Sequence, residues 1–349
     1  MKTTRSKIIF FSLILVGILA FLWYFLNNPK NPLKIDISDM EVNMEIQRFD
    51  QDLFADFDDI ESHALHLETQ YPDFFPLFTQ QIIKIGYTGS KSFNQYLDAF
   101  ITDYTVTQAK DAVSEAFQHV SDIEASLNDG FQHFLYYFPD YQPPKIITFI
   151  AGFNHSVVTT DKLIGIGLDK YLGAECEFYQ MMKIPQYAAK NMRREMIPVD
   201  CMSAWAEMEF PNTDSSDYLV YQMIYDGKIL YFMDAMFPEM PDHLKIGFLD
   251  EEITYCQHFE ARMWEYLVSE NLLFSTDYLQ QRKFLGDAPF TAAFAFGNDS
   301  PGRAPGRAAA WVGWQIVRAY ARENKLDLPE IMQENDFQKI MNLSYYDPK

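Results

Sequence analysis

Cysteine is scarce in this chain: Cys176, Cys201 and Cys256 are the only three among 349 residues, an odd number without framework spacing. A disulfide scaffold is excluded, and free thiols that pack as small apolar side chains are expected. Histidine is nearly as thin. His63, His66, His119, His133, His155, His243 and His258 include no pair four residues apart, so the His-x-x-x-His helix of a zinc peptidase cannot be built. Cations are outnumbered, with 28 Lys and Arg against 49 Asp and Glu for a formal charge of −21. Nucleic acid is thereby excluded as a partner, and anionic lipid surfaces are poor ones, because both demand clustered Lys and Arg. No GxGxxG or GxxxxGK[ST] loop follows a strand-like run, and no GxSxG elbow occurs, which removes support for a nucleotide cradle or a serine hydrolase. After residue 40 there is no Gly/Ser linker, repeat or low-complexity tract to divide the chain.

What is present fits one sizeable ordered domain behind a membrane segment. Hydrophobic residues make up 48% and aromatics 16% of the chain, enough to bury a substantial core. Ile8–Leu26 is an uncharged run of nineteen residues, which as a helix spans about 28 Å and nearly matches a bilayer core of about 30 Å. Lys2, Arg5 and Lys7 precede it, so residues 1–30 read as an uncleaved anchor whose following domain, 31–349, faces the periplasm. A cleaved signal peptide is the competing reading, but the run is long for one and lacks a small-x-small site before Asn27.

The predicted architecture is α+β and mainly helical. Asp36–Phe49 alternates as an extended segment with Val42, Met44 and Ile46 on one side. Helices are predicted over Phe54–Tyr71, Phe74–Ile85, Ser90–Asp103 and Lys110–Leu135, with breaks at Pro72, Pro76 and Gly86–Gly89. Three runs rich in Ile, Val and Thr within Pro143–Leu168 read as a small sheet, and the chain beyond Asp250 returns to helix.

Three blocks carry a family likeness. IDISDMEVNMEIQRFDQDLF at Ile35–Phe54, the long stretch Tyr221–Asp277, and PGRAAAWVGWQIVRAY at Pro305–Tyr320 resemble, in order and spacing, the GldB gliding-motility proteins of Bacteroidetes. That resemblance implies a zincin-like core related to predicted zinc proteases, a place in the gliding machinery, and a link to type IX secretion. It also implies envelope partners from that machinery. The family is described as lipoproteins carrying a lipid-modified Cys after the signal, whereas no Cys here precedes Cys176, so tethering by the apolar helix at the inner membrane is expected instead.

Against the family's metal helix, Met196–Phe210 is the degenerate counterpart. Asp200, Cys201 and Ala204 fall where the two His and the Glu would stand, with Pro198 in the first turn. A rival frame over Arg194–Pro198 puts a guanidinium and a proline at ligand positions and is physically worse. Asp226, in Asp226-Gly227, takes the place of the third ligand. These residues lack the three or four donors that zinc requires, so no cofactor is called for and a binding role, a pseudopeptidase, is expected. The alternative is a hydrolase with a non-standard site, using Glu195 or Asp226 as general base. Arg303 and Arg307 in tandem Pro-Gly-Arg phrases, with Trp311 and Trp314 beyond, form a separate candidate cleft for an anion or a stacked ligand. Glu252, Cys256 and Glu260 at four-residue steps read as a solvated acidic helix face.

Overall fold

The computed structural model describes residues 33–213, 217–287, 291–296 and 303–349. The chain divides into two units, Met1–Asp36 and Ile37–Lys349, and the second carries the fold discussed below. The expected anchor, Ile8–Leu26, lies outside the described residues; among those described, no helix is long and apolar enough to cross a membrane.

Four strands form one sheet in the order β1-β2-β4-β3: β1 (Ile46–Gln47), β2 (Lys145–Phe149), β3 (Val157–Thr160) and β4 (Leu163–Gly167). β2 is parallel to β1 and β4, while β3 returns antiparallel to β4. β2 buries every residue but its first and β4 all five, as expected of central strands covered on both faces. The three predicted runs are β2, β3 and β4. The predicted extended segment is confirmed by its burial alternation at Met44 and Ile46, but only Ile46–Gln47 pairs into the sheet. Side chains replace a strand partner for its backbone. The Met44 amide donates to Asn128 Oδ1 at 2.8 Å and the Ile46 amide to Glu124 Oε2 at 3.0 Å.

The longer helices are α1 (Ile60–Gln70), α2 (Phe93–Thr102), α3 (Tyr104–Ala116), α4 (Ser121–Tyr137), α5 (Ile197–Glu209), α6 (Leu219–Met236), α7 (Asp250–Ser269) and α8 (Ala308–Asn324). Several boundaries differ from those predicted. α1 starts six residues late, because Asp59 caps it by accepting from the Ser62 amide at 2.9 Å. Lys110–Leu135 is two helices. Arg194 sits at their junction, donating to the Ala116 and His119 carbonyls while pairing with Asp122. Pro76 does not break its helix; it occupies the first turn of Phe74–Leu77, where its missing N–H costs nothing, and the chain continues into a π turn over Phe78–Ile82.

Two packing centres fix the geometry around the sheet. Phe49, Tyr71, Phe74, Phe75, Phe78, Phe93 and Phe149 interlock beneath it, with Phe49 edge-on to Phe74 and Phe78 at centroid distances of 5.1 and 4.9 Å. α6 is apolar all round and runs buried from Gly227 to Met236. It crosses α8 at a point where only glycine fits. A Cβ on Gly313 would lie 1.8 Å from the Met223 carbonyl oxygen, and one on Gly227 would lie 2.4 Å from the Gly313 backbone.

Candidate functional site

Pro198 in the first turn of α5 sets the helix so that Asp200, Ser203, Ala204 and Glu207, at steps of three and four, share one face. That face is one wall of a cleft. Ser156 and Val157 at the entry to β3, Ile229 and Leu230 of α6, Lys245, the turn Ile246–Phe248 and Arg307 complete it. The cleft has two adjoining lobes of about 470 and 350 Å³, which share Ser156, Asn191, Asp200, Ile246, Gly247 and Arg307. Lys170, Tyr187, Lys190 and Asp287 line the outer lobe, whereas Ser203, Ala204 and Glu207 line the inner one.

Backbone geometry holds two sides of this space. Gly247 is left-handed at φ +73, and its carbonyl accepts from Asn191 Nδ2 at 2.9 Å. Arg307 is also left-handed, at φ +58, immediately before α8, and its amide donates to the Gly286 carbonyl at 3.0 Å. A non-glycine residue in that conformation costs about 1 kcal/mol or more. Its consequence is an arginine turned into the cleft at the start of α8.

Burial raises the acids of this region. Asp200 Oδ2 accepts from the Tyr171 hydroxyl at 2.7 Å, and burial pushes its carboxyl up to about 6 against the opposing effects of that hydrogen bond and of Arg307. Asp226 is raised to about 6 by burial too; Arg307 opposes the rise, while Glu207 and Asp287 add to it. Both carboxyls keep some solvent contact although protein surrounds them. Glu207 stands at the open edge, and partial desolvation raises its carboxyl in the same direction, with Arg307 again opposing. The Arg307 guanidinium is therefore a common countercharge to three carboxyls; among the described residues its ion pair is a loose 3.9 Å contact with exposed Asp287.

Two separate predicted sites thus merge and lose members. Asp200 and Ala204 line the cleft with Arg307, whereas Asp226 lines neither lobe and is linked to Arg307 and Glu207 only electrostatically. Cys201 does not join them: its thiol is wholly buried on the core side of α5, and burial drives its pKa well up. A mixed Asp–Cys–Asp metal site therefore has no geometry, and among the described residues no three His, Cys, Asp or Glu side chains converge to hold a metal ion. Glu195 is exposed on the surface. Arg303 lines neither lobe. Trp311 and Trp314 are 3% and 0% exposed and belong to the core. Trp314 Nε1 donates to Asp234 at 2.9 Å, and the Arg318 guanidinium stacks 3.8 Å from its ring while bridging Asp234 and Asp242. The aromatic spacing therefore marks a buried cation–π network. The predicted solvated face of α7 is packed as well, since Cys256 is fully buried, Glu252 pairs with Lys190 at 2.5 Å and Glu260 accepts from Tyr346 at 2.8 Å. Cys176, Cys201 and Cys256 are all free thiols.

Sequence reasoning missed Glu207, Tyr171 and Asn191. Glu207 alone had a readable signal, seven residues beyond Asp200 on the same helical face.

A mainly helical α+β domain with a polar cleft between its sheet and its central helices is the class of protein so defined. Residues 30–348 match the profile of the family described as "Gliding motility protein GldB", and the chain belongs to that family. Membership ties it to gliding motility, and the profile's label marks a lipoprotein family of the cell envelope. No match was found among curated proteins or among solved structures.

Proposed function

We propose that this chain is a non-catalytic binding component of the gliding-motility machinery or of the associated type IX secretion apparatus, derived from a zincin-like ancestor and working through the cleft on α5. The observation that carries the reading is the cleft wall itself: Asp200 and Ala204, the two positions that correspond to metal ligands, face the cavity but offer one carboxylate and one methyl group. The pocket has kept its shape while its donors have become a binding surface. In the same reading Ile8–Leu26 tethers the domain at the inner membrane with the cleft in the periplasm, in place of the lipid-modified cysteine that the sequence lacks before Cys176.

Reversing the charge at the mouth of the cleft tests it. Full-length chain purified from native envelopes is expected to bring motility or secretion components with it, and Glu207→Lys to lose them at unchanged folding and abundance. Unchanged recovery with Glu207→Lys would contradict the reading. A second reading, a hydrolase with a non-standard site, draws on Asp226, whose carboxyl near 6 suits proton transfer close to neutral pH. Peptide hydrolysis by the purified chain that vanishes in Asp226→Asn would establish that reading instead.

A further inference from the structure

We propose that a second pocket, formed where residues 341–347 pack over α7 and α8, binds a saccharide ring. It shares no residue with either lobe of the cleft on α5 and goes beyond the binding reading above. Its volume of about 400 Å³ falls within the range of small-molecule sites. The helix α9 (Phe337–Ser344) packs on α8, and Met341 of the one with fully buried Ile316 of the other supplies apolar lining. Trp264 of α7 and Tyr346 add aromatic walls, their ring centroids 5.2 Å apart and their planes at 79°. Tyr346 is fixed in place, because its hydroxyl donates to Glu260 Oε1 at 2.8 Å.

Tyr345 is the residue that packing does not explain. It ends α9 in the left-handed conformation, at φ +48, a position where helices usually place glycine and a side chain costs about 1 kcal/mol or more. Its ring is 73% exposed beside the pocket and makes no hydrogen bond or ring contact with a described residue. The fold therefore gains little from the ring to offset the strain, whereas a ligand in the pocket would meet it. The polar groups select that ligand. The Trp264 indole N–H, the Asn342 amide, the Tyr345 hydroxyl and the Asp347 carboxylate carry no hydrogen bond or ion pair to a described residue. Both donors and acceptors are thus open beside the aromatic rings. A cation offers donors alone and an anion acceptors alone, but every sugar hydroxyl is both. The C–H bonds of a sugar ring complete the match, since they carry the positive edge that the negative faces of Trp and Tyr attract.

Saturation-transfer NMR on the full-length chain, held in a polyoxyethylene detergent that contains no sugar, tests the assignment. Chitotriose and maltotriose serve as ring probes, glucitol as the open-chain control and choline as the control for an aromatic cage that takes cations. At least one ring probe is expected to bind, with transfer to its C–H protons, and neither control. Tyr345→Gly should weaken that binding about fivefold, the scale of one lost aromatic contact. Its melting temperature should stay level or rise, because glycine adopts the left-handed turn without strain. Tyr345→Phe keeps the ring and should keep most of the binding. A merely structural role for Tyr345 predicts the opposite pair of results, a lower melt and unaltered binding in Tyr345→Gly. Silence of both ring probes with a chain shown to be folded, an equal response to glucitol, a preference for choline, or wild-type binding by Tyr345→Gly would overturn the inference.

Discussion

Asp200 accepts from one neutral hydroxyl, whereas Asp234 accepts four charged or indole N–H bonds, from Trp314, Lys245 and twice from Arg318. The two aspartates therefore contribute to stability with opposite signs. Asp234→Ala leaves buried Lys245 with only a 3.6 Å contact to Asp242 and halves the carboxylate partners of Arg318, and a loss of about 3 kcal/mol is expected in denaturant unfolding. Asp200 and Asp226 bind their protons more tightly folded than unfolded, with carboxyls near 6 against an ordinary 3.8. The stability tied to that difference is fully present below about pH 4 and is lost as pH rises through 6. Asp200→Asn, which can still accept from Tyr171, should therefore raise stability at pH 8 by about 1 kcal/mol, a figure reduced for the group's solvent contact, and leave it unchanged at pH 4. Thermal melts at the two pH values check this. A residue whose replacement stabilises the fold is one kept for another reason. At this scale the sequence was legible where helical spacing applies. Asp200 and Ala204 on one face follow from a step of four, and Glu207 extends the face by three. Arg307 reaches the cleft through a left-handed turn that no spacing rule foresees, and Asp226 feels its charge only because α6 and α8 cross.

That crossing governs the elements. Gly227 and Gly313 let two helix backbones touch, and Gly313→Ala would drive a methyl group into the Met223 carbonyl. Separation of α6 from α8 is the only relief, and a loss of about 3 kcal/mol is expected, with Gly227→Ala close behind. A variant at either position that unfolds like wild type in denaturant would contradict the contact. The small sheet was readable because its three runs alternate Ile, Val and Thr between polar breaks. The fourth strand was readable only as part of a longer extended segment, since two residues pair and their neighbours bind side chains of α4. Helix ends were misplaced where a single residue decides them: Asp59 capping α1, and Arg194 closing the junction of α3 and α4. Trp311 and Trp314 on α8 show the limit of periodicity. A helix buried on nearly every side offers no polar face to distinguish lining from core.

For the whole molecule, the charge of −21 favours a partner of positive sign. The family match over residues 30–348 supplies the setting, gliding motility, which composition could not. The central claim is that the cavity beside α5 is the working surface in that setting. Ala204 offers the most direct test, because its side chain faces the inner lobe without bearing charge, and a tryptophan there fills the space while leaving every ion pair intact. Gliding speed should be measured in cells whose only copy carries Ala204→Trp, alongside the abundance and folding of the protein in the envelope. The account predicts a folded protein at normal abundance and cells that no longer glide; full-speed gliding with the lobe filled would contradict it.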